Sequence, residues 1–213
     1  MADKGLLFII GGAEDKQGES VILKKSTGML SGKDKLVVLT TATENPGSAG
    51  ALYRDVFARL GVTNIDILDI DTRETANDNN ICGVLNHAKC IFLTGGDQLR
   101  LTSILGGTLA YDLIKQVYLS GGIIVGTSAG ASVMSSTMVV EGNDNEPARK
   151  CTLKMAPGLD LLKIAIIDQH FDQRGRFGRL MCGIAENPHV LGIGIDEDTA
   201  IEVYPDRHFE VIG

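Results

Sequence analysis

Short apolar runs rich in valine, isoleucine and leucine alternate along this chain with stretches of helical spacing, and that alternation constrains the fold more than any other feature. The runs cover residues 6–10, 36–40, 65–68, 90–93, 123–125 and 164–167. Apart from Thr40 and Asp66, these runs are apolar at successive positions, as suits a strand covered on both faces. The helical stretches cover residues 19–30, 49–60, 81–88, 109–119 and 178–185, with Gly61 a stop after the second. Strand then helix, repeated, predicts an α/β fold: a mostly parallel sheet flanked by helices, with ligands gathered at the carboxyl ends of the strands. At 213 residues, 44% hydrophobic and 22% charged, the chain has the content of one domain, residues 1–213, with a substantial core. Residues 141–150 are the most polar segment and read as an exposed loop. Residues 199–212 read as two strands joined around Pro205 and Asp206.

Charge and composition narrow the function. A formal charge of -7 repels polyanions, and a chain that is 5% aromatic without tryptophan offers few platforms for stacking bases, so no nucleic-acid partner is expected. No apolar run reaches the roughly 18 residues of a membrane span, and the first ten residues lack a signal peptide's basic head and apolar run. No membrane is expected, and the expected location is cytoplasmic. Cys82, Cys90, Cys151 and Cys182 form no C-x-x-C pair and read as buried thiols in a reducing compartment. Neither a phosphate-binding P-loop nor a full G-x-G-x-x-G pattern occurs, and no metal or cofactor is implied.

The segment Gly126-Thr127-Ser128-Ala129-Gly130 follows an apolar strand and precedes small residues able to start a helix, the setting a nucleophile elbow requires. Gly126 and Gly130 omit side chains where strand and helix close on each other, which lifts the Ser128 hydroxyl out. The Ala129 N–H then points where an oxyanion would form. Gly95-Gly96-Asp97-Gln98 also follows a buried strand, so the backbone N–H at Gly96 is a second candidate donor. Spacing alone slightly favours a plainer reading of that turn, a helix start capped by Asp97.

A serine hydroxyl needs a base to take its proton. Of the four histidines, His170 alone directly follows an apolar run, residues 161–167, and so should emerge at the carboxyl end of a strand beside Ser128 if that strand joins the sheet. Around it lie Asp168, Asp172, Arg174, Arg176 and Arg179. Arg176 and Arg179, three apart, share a helix face suited to bidentate contact with carboxylates, while the two aspartates suit a guanidinium.

Taken together, Gly11 to Lys16, Gly95 to Gln98, Gly126 to Ser132, Asp168 to Phe171 with the three arginines, and Gly194 to Ala200 resemble the serine peptidase family of cyanophycinases and aspartyl dipeptidases. The resemblance spans nearly the whole chain. It implies a flavodoxin-like fold related to class I glutamine amidotransferases, a homodimer, and hydrolysis of cyanophycin to β-aspartyl-arginine dipeptides. The substrate that the resemblance implies is cyanophycin or a β-aspartyl peptide. By the same resemblance Ser128 is the nucleophile, His170 the base, and Glu146 the orienting acid, with Glu141 and Asp144 in the same loop. Gln98, Asp168, Gln169, Arg174, Arg176 and Arg179 fall on substrate-binding positions. An α-aspartyl dipeptidase would not need three arginines after the histidine, and a non-catalytic ligand-binding relative would carry an unreactive Ser128. Family members continue beyond Gly213, which implies a C-terminally truncated domain.

Overall fold

The computed structural model describes residues 4–148 and 153–213. The first half of the chain runs β1 (Leu6–Ile10), α1 (Val21–Thr27), β2 (Lys35–Leu39), α2 (Pro46–Arg59), β3 (Ile65–Leu68), α3 (Asn79–Asn86), β4 (Ala88–Leu93), α4 (Gln98–Leu105) and α5 (Leu109–Leu119). The second half runs β5 (Ile123–Thr127), α6 (Ala129–Ser132), β6 (Thr137–Glu141), β7 (Lys154–Pro157), β8 (Ala165–Gln169), α7 (Phe177–Glu186), β9 (Leu191–Ile195), β10 (Ala200–Val203) and β11 (Phe209–Ile212).

The main sheet has seven strands in the order β11-β10-β1-β5-β4-β2-β3. From β1 to β3 all neighbours are parallel, and β10 and β11 add an antiparallel pair on the other edge. Successive residues of a strand face opposite sides, so a run apolar at every position needs two cores. Two cores are present. Leu7, Ile9, Val37, Leu39, Ile91, Leu93 and Ile124 enter one with α3 to α6, while Phe8, Ile10, Leu36, Val38, Phe92 and Val125 enter the other with α1 and α2. The expected α/β sheet flanked by helices is therefore the fold.

One expectation changes. Among the described residues, the run at residues 164–167 forms β8, which pairs in parallel with β9 and lies outside the main sheet. The glycines of Leu-Gly-Ile-Gly-Ile in β9 hide its strand pattern. Packing demands them: a Cβ on Gly194 would lie 2.4 Å from the Phe171 ring, and one on Gly192 would lie 2.3 Å from Ile184. Of the cysteines, Cys90 and Cys182 are buried and Cys82 half-buried, while Cys151 lies outside the described residues. Among the described residues no helix is long and apolar enough to cross a membrane, and no three His, Cys, Asp or Glu side chains gather to hold a metal ion.

Candidate active site

Five strand ends meet at one edge: Gly11 and Gly12 after β1, Gly95 and Gly96 after β4, Ser128 after β5, His170 after β8 and Glu197 after β9. The elbow has the expected form. A Cβ on Gly126 would lie 2.3 Å from the Gly130 carbonyl oxygen, and one on Gly130 would lie 2.2 Å from that of Leu93. Ser128 itself sits at φ 54°, ψ -112°, a conformation that costs a non-glycine residue about 1–3 kcal/mol and persists only where neighbours over-determine it. The Ser128 N–H donates to the Ile10 carbonyl oxygen at 3.1 Å, which pins the elbow to β1. Ala129 opens α6, and the first N–H of a helix has no partner within it, so this group is available to an oxyanion.

The Ser128 Oγ lies 3.0 Å from His170 Nε2, and His170 Nδ1 lies 2.6 Å from Glu197 Oε1. A proton on Nδ1, donated to Glu197, leaves Nε2 to accept from the serine hydroxyl. The ring reaches this position because residue 12 has no side chain: a Cβ there would lie 2.3 Å from His170 Cε1. Backbone bonds hold the two ends together, from His170 N–H to the Gly11 carbonyl at 2.8 Å and from Asp198 N–H to that of Gly12 at 2.9 Å. Burial pushes the His170 value below the ordinary histidine range, and the hydrogen bond its ring donates to Glu197 opposes this. The Arg174 and Arg176 charges add to the lowering.

The acid is where the sequence reading departs from the geometry. Glu146 is exposed and accepts a hydrogen bond from Asn143 Nδ2 at 2.8 Å, within its own loop. Glu141 pairs with Lys154 at the end of β6, and Asp144 pairs with arginines. The carboxylate beside His170 Nδ1 is instead that of Glu197. The parallel pairing of β8 with β9 decides this, because it brings the two strand ends side by side. Glu197 stands in the segment 194–200 that carries the resemblance, which was the available signal, since the glycines of β9 hide the strand before it.

The arginine cluster also differs from expectation. Arg176, Arg179, Asp168 and Gln169 are buried, with 5%, 7%, 1% and 4% exposure, so they face one another before they face a substrate. Arg179 Nε donates to Asp168 Oδ2 at 2.7 Å and Arg179 Nη2 to Asp168 Oδ1. Arg176 Nη1 donates to the Gln169 carbonyl oxygen at 2.7 Å and to Gln169 Oε1 at 3.0 Å, and its Nε donates to Asp144 Oδ1 at 3.1 Å. The pairs cancel charge in the interior, where a lone ion would be costly. Arg174 and Asp172 are exposed. Gln98 is half-buried, its Nε2 donating to the Val139 carbonyl oxygen at 3.2 Å. Asp97 caps α4 through Leu99 and Arg100 N–H groups, as the plainer reading of that turn has it. Gly95 nonetheless abuts the nucleophile, since a Cβ there would lie 3.3 Å from Ser128 Cβ.

The family model of peptidase family S51 matches residues 7–211. A cyanophycinase of Synechococcus elongatus is 39% identical over 212 residues, 99% of this chain, and the chain spans 66% of that protein's length. A cyanophycinase of Trichormus variabilis is 38% identical over 214 residues, covering 100% of this chain and 72% of that protein. Among solved structures, a peptidase from an acI-B1 actinobacterium superposes with TM-score 0.74 at 24% identity, covering 99% of this chain and 88% of that one. A putative peptidase E from Listeria monocytogenes EGD-e gives TM-score 0.67 at 20% identity and 98% coverage of both.

Proposed function

The chain belongs to peptidase family S51, and from that premise we propose that it is a serine hydrolase that cleaves cyanophycin to β-aspartyl-arginine dipeptides. The observation that carries this reading is the relay from Ser128 Oγ to His170 at 3.0 Å and on to Glu197 at 2.6 Å. The relatives named cyanophycinase support the substrate.

In this reading His170 Nε2 takes the proton from Ser128 as Oγ attacks the amide carbonyl carbon. The oxyanion then accepts from the Ala129 N–H and from the N–H at Gly96. His170 passes its proton to the departing amine, leaving an acyl ester on Ser128. A water, deprotonated by the same histidine, opens that ester and restores the serine. Glu197 holds the ring in the tautomer this requires. A β-linked substrate carries a free carboxylate and a guanidinium, and the exposed Arg174 and Asp172 supply one partner of each sign. The buried Arg176, Arg179, Asp168 and Gln169 form the wall behind them. Assembly as a homodimer belongs to the same reading, and the exposed apolar pair Phe177 and Met181, one turn apart on α7, supports it.

Incubation with insoluble cyanophycin, followed by mass spectrometry of the soluble products, tests the reading. Release of β-aspartyl-arginine by the wild type and not by Ser128→Ala is expected. Equal cleavage of an α-linked aspartyl-arginine peptide would replace the substrate with that of an aspartyl dipeptidase, and no hydrolysis of either would leave a ligand-binding relative.

A further inference from the structure

A buried carboxylate that the relay does not use lies one hydrogen bond from the residue before the nucleophile. Glu14, in the turn after β1, is 3% exposed. Its Oε2 accepts from Thr127 Oγ1, and its Oε1 accepts from Tyr53 Oη at 2.7 Å. Lys16 Nζ, 2.9 Å from Oε1, supplies the counter-charge. Thr127 is the last residue of β5 and precedes the strained Ser128. The same turn carries Gly12, against which the His170 ring packs, and Gly11, whose carbonyl receives the His170 N–H.

We propose that Glu14 is a positioning residue for the nucleophile, one that locks the Thr127 end of the elbow to the turn that seats the histidine. The inference rests on the serine-hydrolase reading and adds to it. A non-glycine residue at positive φ relaxes unless both flanks are held. On the amino side of Ser128, the register of β5 against β1 sets the backbone, while the Glu14 contact sets the Thr127 side chain. An ionised carboxylate can accept from the threonine and the tyrosine together, one on each oxygen, and the ammonium of Lys16 keeps it from standing alone in the interior. An amide cannot do the same, because its nitrogen must meet one of two hydroxyls as a donor. The two arms of Glu14 differ in reach. The Thr127 arm ends beside Ser128, whereas the Tyr53 arm ends in α2, where that ring packs on Phe92 at 4.5 Å.

The test reads the nucleophile directly, through the rate at which a serine-directed fluorophosphonate labels Ser128 in the full chain. Wild type should label at Ser128, and if it does not, the serine-hydrolase reading itself fails. Given labelling of the wild type, Glu14→Gln and Thr127→Val should each label about 10- to 100-fold more slowly, the range expected of a displaced nucleophile. Their combined loss should be less than the product of the two, because both cut the same contact. On peptide substrate the loss should fall on kcat with KM little changed, and Glu14→Asp should recover part of it. Tyr53→Phe should lower thermal stability and leave labelling near the wild-type rate. Thr127→Val alone decides the matter if Glu14→Gln does not fold. A wild-type labelling rate in a folded Glu14→Gln or Thr127→Val, or a Tyr53→Phe slowed as much as they are, overturns the proposal.

Discussion

The two halves of the relay are built on different supports. Ser128 stands on the central strand β5, hydrogen-bonded between β1 and β4 and covered on both faces, and its geometry is local: strand, glycine, serine, glycine, helix. His170 and Glu197 stand on β8 and β9, a two-stranded sheet outside the main one, and their geometry depends on contacts between segments far apart in the chain. Backbone bonds from the β1 turn stitch this second support to the main sheet, while the buried Asp168–Arg179 pair ties β8 to α7. A motif therefore locates Ser128, while only pairing and packing bring Glu197 to His170.

The widest separation between the two halves comes from Ser128→Ala, which removes the attacking atom without opening a cavity. It should lower kcat by about 10⁴- to 10⁶-fold at an unchanged melting temperature, as read by peptide turnover and calorimetry. Next is the acid. Glu197→Gln should lower kcat by about 10²- to 10⁴-fold, whereas Glu146→Gln, a change in an exposed loop, should leave it within roughly twofold. Side-by-side kinetics decide between them, and the opposite ranking would return the role to Glu146.

The histidine support should fail by unfolding before it fails by chemistry. Arg179→Ala removes the two-bond partner of the buried Asp168 carboxylate, leaving Arg176 at 3.6 Å, and should cost up to about 3–5 kcal/mol of stability in urea melts. Arg174→Ala, at an exposed position, should cost stability little and raise KM for the anionic substrate. If the two variants melt alike, Arg179 is not the tie that the geometry makes it.

The smallest effect is in the pH profile. Only neutral imidazole accepts the serine proton, so kcat/KM should rise with pH, with a midpoint below the ordinary histidine value because burial lowers it. Arg174→Gln removes one of the charges that lower it and should move the midpoint up. Glu197→Gln removes the group that opposes the lowering and should move it down in the residual activity. The stability linkage has a fixed sign as well. His170 is harder to protonate folded than unfolded, so its contribution is present above the unfolded value and is lost as pH falls through the folded one.

What the sequence determined is what short-range chemistry determines. Doubly buried strands require unbroken apolar runs, so β1, β2, β4 and β5, and a mostly parallel sheet, were legible to within a residue or two, whereas the strand order and β8's place outside the sheet were not. The elbow was legible because Gly126 and Gly130 are required by backbone contacts a few residues apart or across one strand. His170 was legible by its place after an apolar run. Tertiary structure decided the rest. Arg176 and Arg179 look like free cations in a charged segment, and only the fold turns them inward onto Gln169 and Asp168. Glu146 and Glu197 are carboxylates on either side of His170 in the chain, and nothing local ranks them. Glu197 is the one beside His170 because β9 aligns in parallel with β8, residue by residue from Ala165 opposite Leu191 to Gln169 opposite Ile195, and delivers that carboxylate to the imidazole nitrogen facing away from the serine.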